Sequence, residues 1–409
     1  MSQSEVTRTI FYHERWRAVA GGVLETAAST FLLLIAVRVF DAHATAKGLI
    51  AAGVSLGLLL SPLVVWFVAR RGTLISRASS KLALVGAVGF LAAAFAPSDW
   101  GFISASMIGI SIGAAIVPLL TQMYQDGYPD EQRGSLFTRT IVIRIAVAML
   151  FALIAGELLR RDMGWWRLVM LCFAASAAFS SFHLGRCPTR ALPASDARNP
   201  FLALRHVKHD RVFRLTLIAW MFMGFGNLMM LPLRVEYLAN PRYGQDLDAA
   251  SIAFLTAVVP NFTRLCVSRL WGWLFDRMNF FLLRVIVNLG FGIGIVTFFT
   301  GNTFVGLILG SAVFGVALAG GDVAWSLWVT KLAPPNLVAD YMSVHTFLTG
   351  VRGMLAPLLA FQLTNVLPLG AIVIFSGTLI LVSALMLLPE IRWGRLLGRG
   401  SALVEEISD

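Results

Sequence analysis

The sequence predicts an all-α integral membrane protein with twelve transmembrane helices, and three observations carry that fold class. The first is composition: of 409 residues, 57% are apolar and only 13% are charged, with a mean hydropathy of +0.77. A soluble chain of this length is about a quarter charged, and half that charge would not cover its surface. The second is the recurrence of apolar segments long enough to cross a bilayer, which takes about 20 residues each. The third is the distribution of basic residues, which alternates from loop to loop. The apolar fraction excludes disorder, and three cysteines do not make a disulfide framework.

The segments run 18–39, 47–69, 81–97, 101–123, 136–159, 165–184, 213–238, 249–272, 282–299, 303–329, 345–366 and 368–389. The first follows a polar stretch holding Arg8, Arg15 and Arg17. It is too long for a signal-peptide core and ends in Arg-Val-Phe-Asp, so it reads as an uncleaved span. Runs such as Gly109–Gly113 and Gly315–Gly321 supply small residues, which let helices approach where lipid gives no hydrophobic drive. The longest polar stretch, Gly185 to Arg214, contains three prolines and seven Arg/Lys and reads as a linker. The expected organisation is a six-helix bundle over 1–184, a cytoplasmic linker over 185–212, a second six-helix bundle over 213–392 and a tail over 393–409.

The net charge of +11 is explained by topology. With the N-terminus inside, the tails and even-numbered loops carry 22 Lys/Arg and the opposite loops five: Lys47, Arg160, Arg161, Arg167 and Arg242. The asymmetry places both termini in the cytoplasm of a multi-pass inner-membrane protein and removes the need for a nucleic-acid partner. Arg284 belongs to the cytoplasmic group in this count. The bilayer is the expected environment and the chain is expected to act as a monomer.

An internal repeat follows. The first span ends Leu-Ile-Ala-Val-Arg38-Val-Phe and the seventh Leu-Pro-Leu-Arg234-Val-Glu-Tyr. Tyr128-Pro129 after the fourth span matches Pro334-Pro335 after the tenth, and Arg144 in the fifth matches Arg352 in the eleventh. Two pseudo-symmetric halves imply a binding site between them at mid-depth.

Several motifs sit where this architecture places them. Gly272-Trp-Leu-Phe-Asp276-Arg277 resembles the Gly-x-Leu-x-Asp-Arg loop of the major facilitator superfamily (MFS) of secondary transporters. Ala69-Arg70-Arg71-Gly72, at the equivalent place in the first half, keeps the basic character without the acid. Gly164-Trp165-Trp166-Arg167 resembles the Trp-Arg that opens the family's sixth span, and Pro129 with Arg133-Gly134 its loop between spans four and five. The resemblance covers the whole chain and implies the MFS fold and alternating access. It also implies that spans one, four, seven and ten line the cavity. The fifth span reads Ala148-Met-Leu-Phe-Ala152-Leu-Ile-Ala-Gly156, without the Gly-Pro pair usual in drug/proton antiporters. Leu184-Gly-Arg-Cys-Pro188 does not match the Pro-Glu-Ser signature of sugar porters.

An ionisable group in the bilayer costs at least about 2.5–3.5 kcal/mol, so each needs a partner or an aqueous cavity. Glu25 lies near the middle of span one among Gly21, Gly22, Ala28, Ser29 and Leu32. It is either a proton-coupling carboxylate, since desolvation favours its protonated form, or half of an ion pair with an arginine of its own half. Asp322, beside Gly320-Gly321 and ahead of Trp325, is either a second proton or cation site with Trp325 as a stacking wall, or the partner of Arg352. Arg144 and Arg352 would hold an anionic substrate or neutralise Glu25 and Asp322, one pair in each half. Asn227 in span seven is an amide suited to a polar substrate, with Asn261, Arg264 and Ser29 as further contacts. By resemblance, Gly272, Asp276 and Arg277 form a gate, with Asp276 against the start of span five and Arg139 as its partner. Glu157 reads as a surface pair with Arg160 and Arg161, and His183 and His345 as solvated.

No Gly-x-x-x-x-Gly-Lys loop, hydrolase elbow or metal-ligand spacing is present, so no cofactor, metal or enzymatic activity is expected. The function these features predict is a secondary active transporter of a small polar or organic solute, coupled to protons. The alternatives are a drug/proton antiporter exporting lipophilic compounds and a non-transporting sensor or assembly protein that reuses the fold.

Overall fold

The computed structural model describes residues 2–191, 205–301, 303–332 and 338–391. Part of the expected linker, Pro334-Pro335 and the tail over 393–409 lie outside these residues, as does the side chain of Asp276. Among the described residues, twelve helices are long and apolar enough to cross a membrane. They are α1 Ser4–Arg38, α2 Ala44–Arg71, α3 Ile75–Ala94, α4 Asp99–Tyr124, α5 Arg139–Arg161 and α6 Met163–Gly185, then α7 Arg211–Ala239, α8 Ala249–Phe275, α9 Phe280–Thr300, α10 Phe304–Trp325, α11 Val344–Leu363 and α12 Leu369–Leu387. Each corresponds to one predicted segment.

The ends differ most at α1, which starts well before residue 18. Ser2 and Glu5 form a reciprocal capping box that satisfies the first free amides. The polar residues that follow are held inside the protein: Glu14 is buried, accepts hydrogen bonds from Arg17 at 2.6 and 2.7 Å and from the Tyr124 hydroxyl of α4 at 2.5 Å. A polar sequence therefore continues the helix because its acid and base find partners on a neighbouring helix.

Two spans contain a π-helical turn, Ala27–Phe31 in α1 and Phe254–Val258 in α8. Such turns widen the helix by one residue and redirect its side chains. Pro62, Pro232 and Pro357 interrupt the hydrogen-bond ladders of α2, α7 and α11.

Packing divides the chain into two compact units. Unit 1 comprises Met1–Arg198, Pro232–Val258 and Gly353–Gln362; unit 2 comprises Asn199–Leu231, Val259–Arg352 and Leu363–Asp409. In unit 1, α1 packs on α5 and α6, and α3 on α4 and α6. Glycine is needed where α1 meets α5: a Cβ at Gly22 would collide with the backbone of Arg144 and Ala148. The first turns of α8 also pack on α5. In unit 2, α10 lies between α8 and α9, and α9 packs on α12.

Candidate functional site

Unit 1 holds the first of the expected intramembrane acids. Glu25 lies two residues before the π-helical turn of α1 and is half-buried. Arg144 of α5 brings its Nε to 2.9 Å from the Glu25 carboxylate, close enough for an ion pair, although that N–H is not aligned for a hydrogen bond. Gly21 makes room for the Arg144 stem. Ser29, in the π-helical turn, is exposed. Its neighbour Thr30 is buried and shares a 2.9 Å hydrogen bond with Thr256, which lies in the π-helical turn of α8. The two irregular turns are thus joined by their hydroxyls.

The same unit contains a charge cluster that the sequence reading overlooked. Lys47 of α2 was expected in an outer loop, yet it is buried and its ammonium lies 2.6 Å from Glu236 of α7. Glu236 has no exposed surface and also accepts from Asn240 at 2.9 Å. Arg38 pairs with Asp246 at 2.6 Å, and Gln362 of α11 donates to Thr45 at 2.6 Å. The pairing is possible because α2 starts only after His43 caps it, so Lys47 falls within the first turn and points into the packed end. A basic residue at the edge of an apolar run looks interfacial in one dimension. The available signal was Glu236 itself, an acid inside the span-seven repeat segment.

Unit 2 holds the second expected acid. Asp322 of α10 pairs with Arg264 of α8 at 2.5 Å, and the Asn261 side chain accepts from Arg264 at 3.3 Å. The expected Asp322–Arg352 pair is therefore corrected. Arg352 is nine-tenths buried and donates to the backbone carbonyl of Trp220 on α7. Arg264 wins because α8 and α10 pack side by side within the unit, whereas equal depth along α11 is no guarantee of contact. Gly224 is required beside Arg352, since a Cβ there would overlap the guanidinium. Asn227, one turn on, has a buried side-chain oxygen without a protein partner. Trp325 is half-buried with its ring 5.6 Å from His345.

His345 was expected to be solvated; it is 1% exposed. His183 is also buried, and its ring meets His13 at 2.9 Å between Nδ1 atoms. Arg284, counted above among loop charges, is 1% exposed and stacks over Trp220 with its guanidinium carbon 3.5 Å from the ring centroid. Of the expected gate, Gly272 has open space around it. Arg277 is exposed and lies over the Trp273 ring at 4.8 Å. Arg139 is exposed on unit 1, where it borders a shallow surface depression with Phe11, Arg15, Val142 and Ile143. Glu157 forms the expected surface pairs with Arg160 and Arg161 at 2.6 and 2.9 Å.

Outside the spans, Cys187 and Asp248 are among the groups with shifted proton affinity. Burial pushes the Cys187 thiol up to about 12, with the Glu14 carboxylate adding to the effect. Burial also raises the Asp248 carboxyl, but bonds from Ser251 and Ala250 to the carboxylate outweigh it and hold the group below its ordinary value. Among the described residues no cluster of three or more His, Cys, Asp or Glu has the arrangement of a metal site.

The comparison that decides the family is a match of the Major Facilitator Superfamily profile to residues 18–357. The chain belongs to the Major Facilitator Superfamily. It is a multi-pass membrane transporter, not an enzyme, as its twelve spans and its motifs led us to expect. No curated protein sequence matches it significantly. Among solved structures, the chain is similar to a D-xylose-proton symporter, with a TM-score of 0.71 at 16% identity over 93% of this chain and 97% of that one. It is similar to the nucleoside transporter NupG, with a TM-score of 0.68 at 12% identity over 97% and 100%. It is also similar to a POT family transporter in complex with a thioalcohol-conjugated peptide, with a TM-score of 0.71 at 14% identity over 95% and 96%. At these identities the likeness is one of fold.

Proposed function

We propose that the protein is a proton-coupled secondary transporter of a small polar or organic solute, working by alternating access in the inner membrane with both termini cytoplasmic. One observation carries the coupling: the two candidate coupling acids, Glu25 on α1 and Asp322 on α10, are each held by an arginine on another helix of the same unit. Glu25 pairs with Arg144 and Asp322 with Arg264. An ion pair in a partly desolvated site is stable while the acid is ionised. Protonation removes the attraction and frees the guanidinium for a solute or for a different packing, which is the bistable element that a transport cycle needs. The solute is contacted by Asn227, Asn261, Trp325, Ser29 and the released Arg144, with Arg352 as an anion holder. Gly272, Asp276, Arg277 and Arg139 serve the gate. The functional halves are the two six-helix bundles, 1–184 and 213–392, joined by the linker. The proton-coupled D-xylose relative supports the reading by analogy of fold.

The test is reconstitution with an imposed pH gradient and a panel of sugars, nucleosides, amino acids and organic acids. At least one class should accumulate in the wild type under the gradient and lose that dependence in Glu25→Gln. Accumulation that ignores the gradient, with Glu25→Gln behaving as wild type, refutes proton coupling through this residue.

A further inference from the structure

Unit 2 contains a concentration of buried positive charge that the Asp322–Arg264 pair does not use. The guanidinium carbons of Arg284 and Arg352 lie 3.5 and 5.6 Å from the centroid of the same ring, that of Trp220. Both residues are more than nine-tenths buried. Among the described residues neither pairs with a carboxylate. Trp328 packs on Trp220 at 6.2 Å between centroids, and His345 lies 5.1 Å from Trp328 and 5.2 Å from Trp220.

The hydrogen-bond inventory of this cluster is weighted toward donors. Nε and Nη1 of Arg284, Nε of Arg352, the indole Nε1 of Trp220 and Trp328, and Nε2 of His345 are buried without a protein partner. All but the His345 nitrogen, whose role depends on its tautomer, are donors. The Trp220 carbonyl is already taken by Arg352, and a cation–π contact with the Trp220 ring face offsets only part of the charge. Two like charges in a low dielectric repel, and each loses hydration that no acid restores. Such an excess of buried donors is complemented by an anion with several acceptor oxygens. Gly224 is the sequence feature that makes the site possible, because it leaves the space the Arg352 guanidinium occupies.

We propose that Arg284, Arg352, Trp220 and Trp328 form an anion-binding site inside unit 2 that takes a carboxylate or phosphate group. The same chemistry serves two sources, the acidic group of a transported solute or a resident inorganic oxyanion. The first deepens the transport reading and rests on it; binding itself does not.

The experiment uses the purified full-length protein and its intrinsic tryptophan fluorescence, titrated with sodium phosphate and with sodium acetate against sodium chloride at matched ionic strength. A saturable change is expected with at least one oxyanion. Arg284→Gln and Arg352→Gln should each weaken it at least about tenfold, as loss of a charge-assisted pair requires, and Arg284→Lys should be intermediate because it keeps the charge without the fork. Trp328→Phe keeps the ring and drops one donor, so it reports on the site even if the arginine variants do not fold, and should weaken binding by about threefold, the scale of one net hydrogen bond. No saturable response to either anion, or an equal response in the folded variants, overturns the site. Counterflow of labelled phosphate and acetate in proteoliposomes then separates the sources: exchange marks a cargo group, and binding without exchange marks a resident anion. Loss of binding leaves pH-driven transport standing, and loss of pH-driven transport leaves the site standing.

Discussion

Lys47 and Glu236 illustrate what a buried charge requires of its surroundings. The pair is almost fully removed from solvent, so breaking it from one side strands the other charge. Lys47→Met is expected to destabilise the protein by about 3–5 kcal/mol, read as a lower Tm in detergent. Adding Glu236→Gln should recover much of that loss, because no charge is then left unpaired; a double variant as unstable as the single one would show that packing, not charge, is at stake. Cys187 makes a simpler prediction. With its thiol pushed up to about 12 and its side chain buried, it holds almost no thiolate at neutral pH. A maleimide at pH 7 should leave Cys187 unmodified until the protein is unfolded, as read by peptide mass analysis; rapid labelling of the folded protein would contradict its burial.

Helices show where the sequence could be read and where it could not. All twelve spans were visible because each must present about 20 apolar residues to lipid. The start of α1 was not, because Glu14 and Arg17 look like a polar tail until Tyr124 is known to face them. Glu25 and Arg144 stood out as charges in the middle of apolar runs. Lys47, Arg284 and His345 lie near the ends of such runs, where a one-dimensional reading cannot separate a headgroup contact from a buried partner. The arginine considered for Asp322, Arg352, was chosen for its similar depth on the next span, but helix adjacency decides the partner, and α8 packing on α10 brings in Arg264. Caps and crossings give two predictions at this scale. Asp248 caps α8 by accepting from the amides of Ala250 and Ser251 at 2.9 and 3.0 Å. Asp248→Ala should cost about 0.5–2 kcal/mol and Asp248→Asn much less. Because its folded carboxyl titrates below its ordinary value, the ionic part of this cap is present above pH about 4, the ordinary carboxyl range, and is lost as the pH falls through the lower folded value. Loss of stability that is steeper on the alkaline side would contradict that sign. At the α1–α5 crossing, Gly22→Val should push the helices apart, costing about 1–3 kcal/mol by overpacking and loosening Glu25 from Arg144.

At the scale of the whole molecule, the packing units do not follow the two halves of the sequence. Segments from α7, α8 and α11 join the first six helices in unit 1, and the Lys47–Glu236 pair is part of that assembly. Family membership follows from the profile match over residues 18–357, and the twelve-helix fold explains why so few charges are tolerated inside the bilayer. Those charges fall into ion pairs, Lys47–Glu236, Glu25–Arg144 and Asp322–Arg264, and a basic group around Trp220; the proposed cycle uses the second and third pairs for protons and the basic group for an anion. The measurement that tests proton coupling most directly is internal pH in dye-loaded proteoliposomes when a solute that stabilises the purified protein is added outside. The account predicts a solute-dependent pH change in the wild type that disappears in Glu25→Gln while the variant still binds the solute. Solute entry without proton movement, or an unchanged proton signal in Glu25→Gln, would contradict it.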